Sequence, residues 1–366
     1  MSYMKGLFFT VIIFLCLLFS SCNIPSKMAL EGSGGRNAYN IAVQISNNEQ
    51  MLLNLVRLRY FDNPYFIDVS NITTQFTYRA AASASIPIPG FNSNNPFSLG
   101  GDISWQNQPT LQFTPLEGQA FSQQLLTPID LTTIQQLIYS GWDVDRVFRL
   151  VIQSFDELDN APEASGPILE RLPDYENFFE ATRLMRYFQL RNELRMGVQI
   201  KEGKEKVNNL QIAFPYEGEE AKRLASMLKG VYSSNGNYVL SMDLGFNVKG
   251  QLGVYPRSIL SCMYYLSHGI EVPKSDFKKS RVPYFSGDEK RLFAWSDLVG
   301  TLIKVKFCDY LPKNAYVAVK YRDHWFYIDD SDIQSKQTFL LLLQLYNLQA
   351  GKPQVTPPIL TLPLGG

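Results

Sequence analysis

The sequence predicts a mixed α/β (α+β) fold, with a long amphipathic β-hairpin plus helices N-terminally and small mixed sheets with packed helices C-terminally. Three observations predict it. Residues 72–106 alternate between apolar and polar with a period of two, several segments place apolar residues at helical spacing behind Asp or Ser, and short β-rich runs recur between helices after residue 196. With 45% hydrophobic, 13% aromatic and 19% charged residues, against roughly 25% charged in ordinary soluble domains, the 366-residue chain can bury a large core.

The first element is an address. Lys5 precedes an apolar run from Leu7 to Phe19, which ends at Ser20-Ser21-Cys22. That run is too short for a permanent membrane span, and two small residues before a cysteine read as a lipoprotein signal: residues 1–21 are removed and Cys22 becomes an acylated N-terminus. Phe19 stands where such signals usually carry Leu. The plainer alternative is a secretory peptide cut elsewhere, with Cys22 lost or left as a thiol. Because Asn23 rather than Asp follows the cysteine, the expected home is the outer membrane, lipid-anchored and facing the periplasm. Residues 22–38, with Glu31-Gly32-Ser33-Gly34-Gly35, read as a lipidated flexible tether.

The chain carries 34 Lys+Arg and 34 Asp+Glu, and removal of Lys5 with residues 1–21 leaves 33 against 34, a net charge of −1. No basic block is present, which disfavours nucleic acid and polybasic membrane binding. The expected partners are the membrane, through the lipid, and envelope proteins, with homo-oligomerisation open. Cys16 leaves with the signal and Cys22 is lipidated, so Cys262 and Cys308 remain, either as one disulfide or as two small apolar residues.

Folding is expected to begin near Tyr39, in a domain over 39–160. Ser46 and Glu49 form a capping-box pattern ahead of Leu52, Leu53, Leu55, Val56 and Leu58, and Pro64 ends any continuation. Arg57 and Arg59 interrupt this apolar stretch, either as an anion or partner site or, the favoured reading, snorkelling or paired with Asp62 or Asp68. From Ile72 to Ile88 the even positions are Ile, Thr, Phe, Tyr, Ala, Ala, Ala, Ile and Ile, a strand of about 50 Å at about 3.3 Å per residue. After Gly90 to Pro96 the alternation resumes through Trp105, completing a hairpin. Packing of its apolar face on helices or on a neighbour is favoured over insertion into a bilayer. Insertion requires a ring of subunits to close a barrel, a design similar to that of the curli secretion channel. Asp130 then caps a helix to Gly141, and Asp143 caps a second one through Phe155.

The Pro- and Gly-containing stretch 161–173 is the expected domain boundary, with an α/β domain over 174–366. In it, Asp174 opens an amphipathic helix. Strands are expected at 198–201, 210–214 and 238–244, with helices at 217–229 and 256–267. Strands at 302–307 and 315–321, a turn at Arg322-Asp323, a strand at 324–328 and an apolar helix capped by Asp330-Ser331-Asp332 follow, with Ile359-Leu360-Thr361-Leu362-Pro363 as a final edge strand.

Two segments, Asn48-Glu49-Gln50-Met51-Leu52-Leu53-Asn54-Leu55-Val56-Arg57-Leu58-Arg59-Tyr60 near the N-terminus and Tyr321 to Asp330 with the Leu-Thr-Leu-Pro ending, resemble a group of predicted lipoproteins of Gram-negative bacteria. The resemblance implies an envelope address and supplies no activity, cofactor or site. Nothing else organises a reaction centre. His268 and His324, far apart, are the two histidines and lack metal-ligand spacing. Cys262 and His268 on one helix read as core filling plus a helix-terminal histidine rather than a catalytic pair, and Asp323, Asp329, Asp330 and Asp332 fit turn and cap chemistry. No cofactor or metal is expected. The sequence therefore points to an outer-membrane lipoprotein serving as a structural or interaction component of an envelope assembly. The alternatives are an oligomeric pore built on the hairpin 72–106 and a periplasmic hydrolase acting on envelope polymer.

Overall fold

A computed structural model describes residues 35–85, 98–167, 171–201, 207–228, 231–245, 251–282, 286–288 and 291–350. The signal peptide, Cys22, the hairpin tip and the Leu-Thr-Leu-Pro ending lie outside them. The fold is mixed α+β, and the chain forms two compact units, 1–48 with 66–116 and 49–65 with 117–366.

The first helix, α1 (Arg36–Arg59), contributes its first half to the first unit. It starts at Arg36, so the last residues assigned to the tether are helical, and Ser46 sits inside the helix instead of capping it. The hairpin strands are longer than the alternation alone suggested: β1 (Phe66–Ser85) pairs antiparallel with β2 (Ser98–Leu116) and neither has another strand partner among the described residues. The register shifts between Val69 and Asn71, leaving Ser70 as a one-residue bulge. That shift aligns two runs of opposite parity. Below it Ile67 and Val69 pair with Pro115 and Phe113, and above it Ile72, Phe76, Tyr78 and Ala80 pair with Leu111, Asn107, Trp105 and Ile103, all in the same alternate column of the ladder. The other column reads Asp68–Thr114, Asn71–Gln112, Thr73–Thr110, Gln75–Gln108 and Thr77–Gln106.

In the second unit, α2 (Gln119–Leu126), α3 (Leu131–Tyr139) and α4 (Val144–Val151) follow the hairpin. Asp130 and Asp143 cap α3 and α4 as expected, accepting from the backbone N–H of Thr133 and Asp145. The helix expected to reach Phe155 stops at Val151, because Ile152–Phe155 is recruited as β3 by Leu252–Pro256, β9. A seven-stranded sheet runs in the order β4 (Leu158–Asp159), β3, β9, β8 (Asn237–Leu244), β6 (Val207–Pro215), β5 (Arg195–Lys201), with β7 (Tyr232–Ser234) on β8; β8 and β9 are parallel. Helix α5 (Glu176–Leu190) begins two residues after Asp174, which is not its cap. Helices α6 (Glu219–Met227) and α7 (Ile259–Ser267, capped by Ser258) match expectation.

The boundary expected at 161–173 is corrected: β3 before it pairs with β9 far beyond it, and Arg257 pins both sides. This side chain, 1% exposed, donates to the carbonyls of Arg149, Leu150, Ile152 and Asn160 and to Ser165 Oγ, and lies 4.0 Å over the Tyr265 ring. In the same core Phe148 packs edge-on against Phe155, which stacks on Phe178. After α8 (Lys274–Lys278), a short ribbon of β10 (Ser286–Asp288) and β11 (Arg291–Leu292) and α9 (Trp295–Val299), a three-stranded sheet is ordered β12 (Lys306–Cys308), β14 (His324–Asp329), β13 (Ala315–Tyr321). The strand expected from Leu302 is shorter, since Leu302, Ile303 and Val305 are buried ahead of β12. Asp332 caps the final helix α10 (Ile333–Ala350), accepting from the Ser335 N–H and hydroxyl. No helix among the described residues is long and apolar enough to cross a membrane.

Candidate functional site

The two segments singled out by the resemblance meet within the second unit, where the end of α1 reaches the turn between β13 and β14. Helix α1 closes in a Schellman arrangement, with the Phe61 N–H on the Leu58 carbonyl (3.1 Å) and the Asp62 N–H on the Arg57 carbonyl (2.9 Å). That geometry puts Phe61 in the left-handed region at φ 59°, where glycine is the usual occupant. Across from it, Arg322 in the hairpin turn is also left-handed, at φ 52°. The Tyr60 ring lies 5.4 Å from Tyr321 and 6.1 Å from Phe326, with the Arg322 guanidinium 4.6 Å above it.

Two carboxylates tie this junction. Tyr60 donates to Asp276 Oδ2 at 2.8 Å and Arg281 to Asp276 Oδ1 at 3.0 Å. Asp276 is 1% exposed; its burial alone favours the neutral acid, but the bonds from Tyr60 and Arg281 outweigh it and hold the carboxyl below its ordinary range. The Tyr60 hydroxyl is pushed up by burial and by that carboxylate. Asp62 accepts from the Tyr321 hydroxyl and, at 3.2 Å, from Arg322. Of the options open for the α1 arginines, pairing with Asp62 is not the one taken. Arg57 donates to Asn54 Oδ1 at 3.0 Å, and Arg59 is buried with no acceptor for its Nε.

Of the two readings left open for Cys262 and Cys308, the structure has no disulfide: both thiols are free. Cys262 is buried in α7, 3.4 Å from the Leu150 carbonyl, and burial pushes its thiol up to about 12, which keeps it protonated and unreactive. Cys308 lies half-buried in β12, 3.0 Å from the Tyr310 carbonyl. His268 does cap the end of α7, but its ring stacks on Trp295 at 3.7 Å rather than meeting Cys262. His324 contacts Asp309 at 2.8 Å through Nδ1.

The C-terminal acids serve as the turn and cap reading has them. Asp329 accepts from the Ser331 hydroxyl and backbone and from Lys306, which hold it down at about 2, while Asp330 pairs with Lys336 at 2.7 Å. No group of three acidic, histidine or cysteine side chains suited to a metal occurs among the described residues. Sequence reasoning missed Tyr60, Asp276, Arg281, Tyr321 and Arg322 as a unit. Tyr60 and the residues from Tyr321 stood inside the quoted segments, but Asp276 carries no local pattern that distinguishes it from a helix-turn acid.

No family model matches this chain, and neither a curated protein nor a solved structure is detectably similar to it.

Proposed function

We propose that the protein is an outer-membrane lipoprotein, anchored through Cys22, that serves as a structural or interaction component of an envelope assembly, with the hairpin as its assembly arm. The observation that carries this reading is the hairpin's isolation as a sheet: strands of 20 and 19 residues pair only with each other among the described residues, leaving both outer edges without a strand partner. A two-stranded ribbon is at best marginally stable in water, and open edges template association, so an arm of this length gains stability from a partner or from other copies of itself.

A second reading is favoured by the bulge at Ser70. The register keeps Ile67, Val69, Ile72, Tyr78, Trp105, Leu111 and Phe113 in one column over a ladder of about 60 Å at about 3.3 Å per residue, against the about 30 Å hydrocarbon core of a bilayer. Copies arranged edge to edge then form a barrel with one apolar and one polar face. Both readings meet one experiment, the mass of the lipidated full-length protein in mild detergent by light scattering, with and without residues 83–97. A ring-sized mass that the deletion abolishes, together with channel conductance, supports the pore. A monomer or small oligomer that copurifies with a defined envelope protein through the hairpin supports the scaffold, and a monomer that the deletion leaves unchanged in mass and partners rules out both.

A further inference from the structure

Every charged residue of the two hairpin strands falls in one column of the ladder. Asp68, Arg79 and Asp102 pair with Thr114, Ser104 and Ala81 in the polar column, and the other column carries no charge from Ile67–Pro115 at the base to Ala84–Leu99 at the far end. At the base that uncharged column is open: Ile67, Leu111 and Phe113 are 38%, 47% and 58% exposed. Its length does not suit a bilayer. A ladder of about 60 Å, even tilted by about 45°, rises about 42 Å against an about 30 Å hydrocarbon core, so lipid leaves part of the column in water. A second copy of the ribbon covers it end to end. Two strands about 4.8 Å apart make a strip about 10 Å wide, about 600 Å² on each copy, and two such strips bury on the order of 1,200 Å², the lower bound for a stable specific interface.

The column is also graded in size, and the grading is complementary to itself. Phe76–Asn107 is the central one of its nine pairs. Turned end for end about that pair, the column lays Val69–Phe113 over Ala82–Gly101 and Thr74–Pro109 over Tyr78–Trp105, a bulkier pair against a smaller one each time. Facing layers that alternate large and small interdigitate, and a twofold axis makes each such match twice. Lipid demands no such gradient.

Granted the hairpin's role as assembly arm, we propose that it docks face to face on the hairpin of a second copy, base against far end, in a twofold dimer centred on Phe76 whose two uncharged columns form a common core. Its test is the mass of the full-length lipidated protein in mild detergent by light scattering. Wild type is a dimer. Ala82→Phe sets added bulk against Phe113 and halves the mass, and Ala82→Phe combined with Phe113→Ala restores the dimer. Should Ala82→Phe fail to fold, spin-label distances decide, measured in a Cys308→Ser background in which Cys262 stays buried and unlabelled. Labels at Gln75→Cys lie within about 25 Å of each other and labels at Asp68→Cys more than about 40 Å apart, because the separation along the ribbon grows by twice the about 3.3 Å rise with each residue away from Phe76. A monomer, a dimer that Ala82→Phe leaves intact, or equal separations at the two positions, as copies side by side in a ring give, overturns the twofold dimer. The arm stands or falls separately, on whether deletion of residues 83–97 changes the mass or the partners.

Discussion

Two residues carry local cost that a single substitution exposes. Phe61 occupies the left-handed position that ends α1, and its ring is exposed, so packing does not offset the backbone strain. Phe61→Gly is expected to stabilise the protein by about 1 kcal/mol in urea unfolding, since glycine relieves the strain while adding disorder to the unfolded chain. His268 gives stability a pH dependence of known sign. The native state holds the imidazole neutral well below its ordinary value of 6.5, so below about pH 6.5 the unfolded chain binds a proton that the native one refuses. Stability is full above that pH and falls as pH drops, by up to about 1.4 kcal/mol per unit. Urea titrations of wild type and His268→Gln at pH 7.5, 6.0 and 5.0 isolate this slope, which the variant lacks.

Among elements, the end of α1 and the β13–β14 turn show what local pattern reveals and what it conceals. Both were legible: the apolar run ending at Tyr60, and the turn at Arg322-Asp323 between two strands, are periodicity and turn chemistry. Their meeting was not, because Tyr60, Asp276 and Tyr321 lie more than two hundred residues apart at the extremes, and only the fold brings them together. The same limit explains β3. Val151 and Ile152 suit helix and strand alike, and pairing with β9 decides between them. For the junction, Tyr60→Phe removes one of two donors to a buried carboxylate and is expected to cost about 2 kcal/mol, read by chemical denaturation, with Asp276→Asn costing less in that background than alone.

At the scale of the molecule, the misplaced boundary at 161–173 has a physical origin. Proline and glycine mark turns whether or not a domain ends there, and what joins the two sides is a buried arginine 92 residues beyond Ser165. Arg257→Met leaves four carbonyls and Ser165 without their donor and is expected to lose about 3–5 kcal/mol, visible as a lowered thermal midpoint of the second unit. The other unit obeys a counting rule. Along a ribbon whose two faces differ, every residue added or removed singly exchanges the faces for everything beyond it, much as a lost nucleotide shifts a reading frame, while changes in pairs leave them alone. Ser70 is one such odd residue, and it restores phase: the apparent break in alternation between Val69 and Ile72 is the correction that lets both halves of the hairpin present the same side. Length variation in this arm is therefore silent only when it is even, or when a second odd change follows close behind.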